Sequence, residues 1–214
     1  MNFISDTVKS TVHFCTKGQI IKPIILMIGF GWLLPVAVMA NDVGAQISVA
    51  AMERTQHQIT YDGRYLALAY PGGDVPANIG VCTDVVIRTY RAIGVDLQVL
   101  VHEDMQAAFA AYPNHWGNRK PDANIDHRRV PNLQTFFTRH GQSFAVGQAD
   151  ATVQAGDLIT WMLPGNLPHI GVVTDQRHPV SGKLMIVHNV GSGPKLEDVV
   201  QAWLITGHYR FLPN

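Results

Sequence analysis

Cys82, His169 and His188 are the residue types that together carry nucleophilic chemistry in this sequence. A cysteine attacks as its thiolate, and it needs a base to take the proton and a third polar group to fix the base. Cys82, Val86, Tyr90 and Ile93 recur at helical spacing before Gly94, which suits a C-terminal cap. That spacing puts Cys82 in the first turn of a helix, where unpaired backbone N–H groups favour the thiolate. The expectation is an accessible thiol whose pKa lies well below the free value of about 8.5. His169 enters the apolar run 170–173 and His188 ends the run 185–187. On adjacent strands the two would supply base and orienter. Gly171, on the same face as His169, leaves room for a close neighbour. Asn189 is the competing orienter, although in a continuing strand its side chain points away from the face of His188. A buried cysteine is most often a small hydrophobe and a strand-end histidine a satisfied polar residue. The combination is what points to catalysis.

The compartment sharpens the reading of Cys82. The first forty residues carry Lys9, Lys17 and Lys22, then an apolar run over 24–38 that ends in Val38-Met39-Ala40. This is the pattern of a secretory signal over residues 1–40, cut after Ala40, with a retained anchor as the alternative. The expected mature domain, 41–214, is then periplasmic or secreted, with no membrane attachment after cleavage. The whole chain balances 16 Lys+Arg against 16 Asp+Glu; without the three lysines and Asp6, 13 stand against 15. Such a balance gives no general attraction to nucleic acid. Cys15 leaves with the signal, so Cys82 has no partner for a disulfide. A lone thiol in an oxidising compartment is a liability unless it is buried or used.

The elements that must position these residues read as one α+β domain. Helical spacing covers 44–56, the segment from Cys82 to Gly94, 97–109, and a short helix opened by Pro131 and ended by Gly141. The Pro- and Gly-rich stretch 70–76 is a loop. Four short β runs follow at 157–163, 170–174, 184–188 and 204–211, with spacings that suit antiparallel connections.

With those residues in view, a family resemblance is visible. Tyr70-Pro-Gly-Gly-Asp-Val-Pro-Ala-Asn-Ile-Gly-Val-Cys82-Thr-Asp resembles the nucleophile segment of the NlpC-type cell-wall cysteine peptidases. The segments 155–161, 169–173 and 186–188 resemble that family's three core strands, in its order. More closely, the domain resembles a family of exported bacterial proteins that carries only a domain-of-unknown-function label. The resemblance implies a papain-like fold, with the nucleophile helix packed on a C-terminal antiparallel sheet. It also implies Cys82 as nucleophile, His169 as base, His188 as orienter, and Tyr70 as a tyrosine near the oxyanion site. The sequence departs from the family at Val81, which cannot bind an amino group, and at Asp84, which replaces a usual glycine. The long insert before Gly156 is also atypical.

The expected activity is hydrolysis of an amide bond in peptidoglycan stem peptides or their fragments, with acyl transfer and a catalytically idle wall-binding module as alternatives. Tyr70, Asp84, Arg128 and Arg129 are the candidate substrate-binding residues, the arginines as bidentate partners of substrate carboxylates. Their competing reading is a solvated loop with local ion pairs. A periplasmic metal-binding histidine protein is a further rival. No metal or cofactor is expected, because position 106 is Gln and His-Glu-x-x-His is absent after His102-Glu103, while a Cys-rich zinc site lacks thiols.

Overall fold

The computed structural model describes residues 42–213. The segment expected to be a signal lies outside them. Helix α1, Val43–Arg54, starts at Asp42, whose carboxylate accepts from the N–H groups of Gly44 and Ala45 at 2.9 and 3.3 Å. Two short parallel strands follow, β1 at Thr60–Tyr61 and β2 at Ile79–Gly80. Helix α2, Cys82–Ala92, begins directly after β2. Its N-cap residue Val81 has no side-chain acceptor, so only half of a capping box forms: the Val81 N–H donates to Asp84 Oδ2 at 2.7 Å. Gly94, at φ 86°, ends this helix in the left-handed conformation.

Helix α3, Leu97–Ala108, is capped by Asp96, and helix α4, Val130–His140, carries Pro131 in its first turn. The remaining elements are β3 at Gln142–Ser143, α5 at Ala149–Thr152, β4 at Leu158–Leu163, β5 at Leu167–Arg177, β6 at Leu184–His188, β7 at Lys195–Glu197 and β8 at Leu204–Arg210. Strands β3 to β8 form one six-stranded antiparallel sheet in the order β3-β8-β4-β5-β6-β7. The α+β arrangement expected from the sequence is therefore the observed one. β5 is longer than its apolar run, β1 falls on the short extended piece that the sequence shows through Ile59 and Tyr61, and β2, β3 and β7 have no counterpart among the expected strands.

Two apolar layers fix the sheet. On one face Leu158, Ile170, Val172 and Val187 pack with Ile47 and Ala51 of α1, with Cys82, Val85, Val86 and Tyr90 of α2, and with Leu97, Leu133 and Phe137. On the other face Ile159, Trp161, Val173 and Ile186 pack with Ala149 and Val200. This is the period-two alternation of strands buried on both sides. Gly171 shows how tightly β5 and β6 pack: a Cβ there would lie 2.5 Å from Ile186 Cγ2 and 3.0 Å from His188 Cβ. Among the described residues no helix is long and apolar enough to cross a membrane.

Candidate active site

Helix α2 presents Cys82 as its first residue, with its side chain in the layer between helices and sheet, only 4% exposed. The sulfur lies close to the backbone N–H groups of Ile170 and Thr83, which favour the thiolate. It thus meets the sheet at the peptide that joins His169 to Ile170. Burial nevertheless dominates, and with the Asp84 carboxylate nearby it pushes the thiol pKa up to about 11. The expected accessible, acid-shifted thiol is corrected here: the helix N-terminus and its N–H groups act as anticipated, but desolvation of the charged form outweighs them.

The two histidines stand side by side on β5 and β6. His169 Nε2 lies 2.9 Å from His188 Nδ1, and both rings are buried. Burial, and then the neighbouring His188, lower the pKa of His169 to about 3; burial also lowers that of His188. Both imidazoles are therefore neutral. Trp161 and Trp203 flank the pair, with ring centroids between 5.7 and 6.3 Å from the two imidazoles. The Trp161 indole N–H donates to Val200 O at 2.9 Å and so makes no claim on either histidine. His169 Nδ1 hydrogen-bonds to none of the described residues.

Asn189 is engaged elsewhere. Its side chain donates to Gly80 O at 3.4 Å and accepts from Gly191 N–H at 3.0 Å, holding the turn after β6 against β2. His188 is the residue the structure pairs with His169.

The four candidate substrate contacts fare differently. The loop over 70–76 is tied to the start of α3, with Gly72 N–H donating to Asp96 at 2.8 Å and Gly73 N–H to Gln98 at 2.9 Å. Tyr70 consequently packs edge-on against His102, 5.0 Å between centroids. The tyrosine beside the Cys82 thiol is Tyr61 of β1. Its own pKa is pushed up to about 12 by burial and by the neighbouring sulfur. Asp84 and Arg128 are both buried and occupied with each other: Arg128 Nε and Nη2 donate to the two Asp84 oxygens at 2.8 and 2.9 Å. They brace the start of α2 from behind and are closed to a substrate carboxylate. Arg129 lies 3.8 Å over the Trp116 ring and 3.2 Å from Asp126, so it too has local partners.

Tyr61 and Glu197 were not singled out by the sequence reading. Tyr61 belongs to a two-residue strand, and Glu197, 2.9 Å from His188 Nε2, to a three-residue one. Neither is long enough to show a period. A cavity of about 10 Å³ lined by Gly80, Val81, Asp84, Val85 and Asn189 flanks the start of α2, room for about one water. Among the described residues no group of three or more His, Cys, Asp or Glu side chains is arranged to hold a metal ion.

The comparisons with known proteins identify a family. The "Uncharacterized protein YijF" of Escherichia coli (strain K12) is 46% identical over 180 residues, which cover 83% of this chain and 87% of that protein. A solved structure from Staphylococcus aureus subsp. aureus Mu50, described as similar to a lipoprotein of the NLP/P60 family, matches 82% of this chain at 12% identity with a TM-score of 0.38. This chain covers 43% of that one. The family model described as "Domain of unknown function (DUF1287)" matches residues 48–211, and the chain belongs to the DUF1287 family.

Proposed function

We propose that the chain is a cysteine hydrolase of the papain-like type that cleaves an amide bond, in peptidoglycan stem peptides or their fragments, within the periplasm or outside the cell. One observation carries the reading. A helix-opening thiol lies beside the backbone N–H of Ile170, the residue that follows His169, and His169 is paired with His188. The substrate class rests on the motif resemblance around Cys82, and the compartment on the pattern of the first forty residues.

In this reading the resting site holds a neutral thiol and neutral imidazoles. As substrate enters, His169 Nδ1 takes the thiol proton while the sulfur bonds to the carbonyl carbon. The resulting oxyanion is held by the Cys82 backbone N–H and the Tyr61 hydroxyl, the latter in the role that the resemblance gave to Tyr70. The C–N bond breaks as His169 returns the proton to the leaving amine, and a thioester remains on Cys82. Water then attacks the thioester, His169 takes and returns its proton, and the carboxylic acid leaves.

One observation favours a second reading. Burial of Cys82 and its raised pKa suit an idle wall-binding module that keeps the fold. Digestion of purified peptidoglycan, with products identified by mass spectrometry, separates the two. The hydrolase reading expects new amine and carboxylate ends with the native protein and none with Cys82→Ala. Intact peptidoglycan retained by both proteins would favour the idle module.

A further inference from the structure

We propose that Glu197 is a positioning residue that sets the tautomers of both histidines and so leaves Nδ1 of His169 as the free basic nitrogen of the site. Strand β7 pairs with β6 so that Lys195 lies opposite His188 and Glu197 opposite Ile186. Ile186 and His188 share a face, so Glu197 stands diagonally beside His188. Its Oε2 lies 2.9 Å from His188 Nε2. The contact is a close electrostatic one rather than a straight hydrogen bond.

The sign of that contact is what matters. A carboxylate can only accept, and an imidazole nitrogen carrying a lone pair would be repelled at this distance. His188 therefore carries its proton on Nε2. A neutral ring has one N–H, so His188 Nδ1 is a bare acceptor, 2.9 Å from His169 Nε2. His169 must donate there, which removes the proton from its Nδ1. Trp161 cannot upset the order, because its indole N–H is committed to Val200 O. One half-exposed carboxylate on a short strand thus fixes the protonation pattern of two buried rings.

The consequence for turnover rests on the hydrolase reading; the tautomers do not. Long-range ¹H–¹⁵N correlation of the histidine rings in native protein should show the Nε2–H form at both His169 and His188. In Glu197→Ala the Nδ1–H form should appear at His188, and kcat on a stem peptide should fall roughly 10- to 100-fold, as for other outer partners of a working imidazole, with KM nearly unchanged. Glu197→Gln keeps an oxygen acceptor and should recover most of both. A merely structural role would lower Ala and Gln variants alike and leave the tautomers in place. Finding His188 in the Nδ1–H form in native protein, or the same tautomers in Glu197→Ala, would overturn the assignment. A protein with the stated tautomers whose hydrolysis is indifferent to Cys82→Ala would support the assignment of Glu197 while refuting the hydrolase reading.

Discussion

His169 Nε2 and His188 Nδ1 lie 2.9 Å apart, each ring buried and neutral, whereas Asn189 is turned to Gly80 and Gly191. In the proposed mechanism this arrangement favours His188 over Asn189 as the orienter. His188→Ala should lower kcat by about 100-fold or more, the scale on which general acid–base groups act. Asn189→Ala should change turnover far less and act mainly on stability, through the turn after β6. Steady-state kinetics of both variants, with circular dichroism to confirm folding, makes the comparison. Near-native turnover in His188→Ala would remove it from the site.

Tyr61 against Cys82 leads to a statement about reactivity. The thiol is buried and titrates at about 11, so in native protein it should alkylate slowly at pH 8, well below the rate of a free cysteine. Tyr61→Ala removes the side chain that meets the sulfur and should speed alkylation, while Tyr70→Ala should not. Rates measured with iodoacetamide against pH test this. A thiolate already formed at pH 6 in native protein would contradict the burial argument.

Acid should destabilise the fold in a defined window. Burial holds His127 at about 4 and His169 at about 3, both below the ordinary 6.5. The unfolded chain therefore binds protons that the folded chain refuses as pH falls from 6.5 toward 4. Stability is full above this window and is lost as pH falls through it. The melting temperature should drop between pH 7 and pH 4.5, with on the order of two protons taken up on unfolding near pH 5. A melting temperature that rises on acidification would be the opposite result.

The buried Asp84–Arg128 pair should behave as structure. Arg128→Ala leaves the Asp84 charge buried without its partner and should cost about 3–5 kcal/mol in chemical denaturation. Arg129→Ala, at a partly exposed position, should cost much less. If Arg128→Ala instead folds normally and raises only KM, the arginine contacts substrate after all.

The parts of this molecule legible in the sequence are those where an apolar period runs long enough to be seen. Cys82, Val86 and Tyr90 announce α2, and the runs at 157–163 and 184–188 announce two central strands. The adjacency of His169 and His188 followed from β5 and β6 being antiparallel neighbours. The choice of tyrosine did not. Tyr70 is nearer to Cys82 in sequence, but Asp96 and Gln98 anchor its loop on α3, while the β1–β2 pairing brings Tyr61 to the sulfur. Asp84 and Arg128 looked available because their mutual contact spans the long insert and leaves no local trace. The thiol pKa departs from the expectation because a helix N-terminus can be read from spacing, whereas burial of its first residue cannot.

In the proposed mechanism Cys82 carries a covalent acyl intermediate, and the mass of the Cys82 peptide reveals it. Native protein turning over a stem peptide would be acid-quenched, digested and analysed by mass spectrometry. The expected result is a thioester on Cys82 carrying the acyl part of the substrate, and neither adduct nor product with Cys82→Ala. Product formed without any adduct, and formed equally by Cys82→Ala, would contradict it.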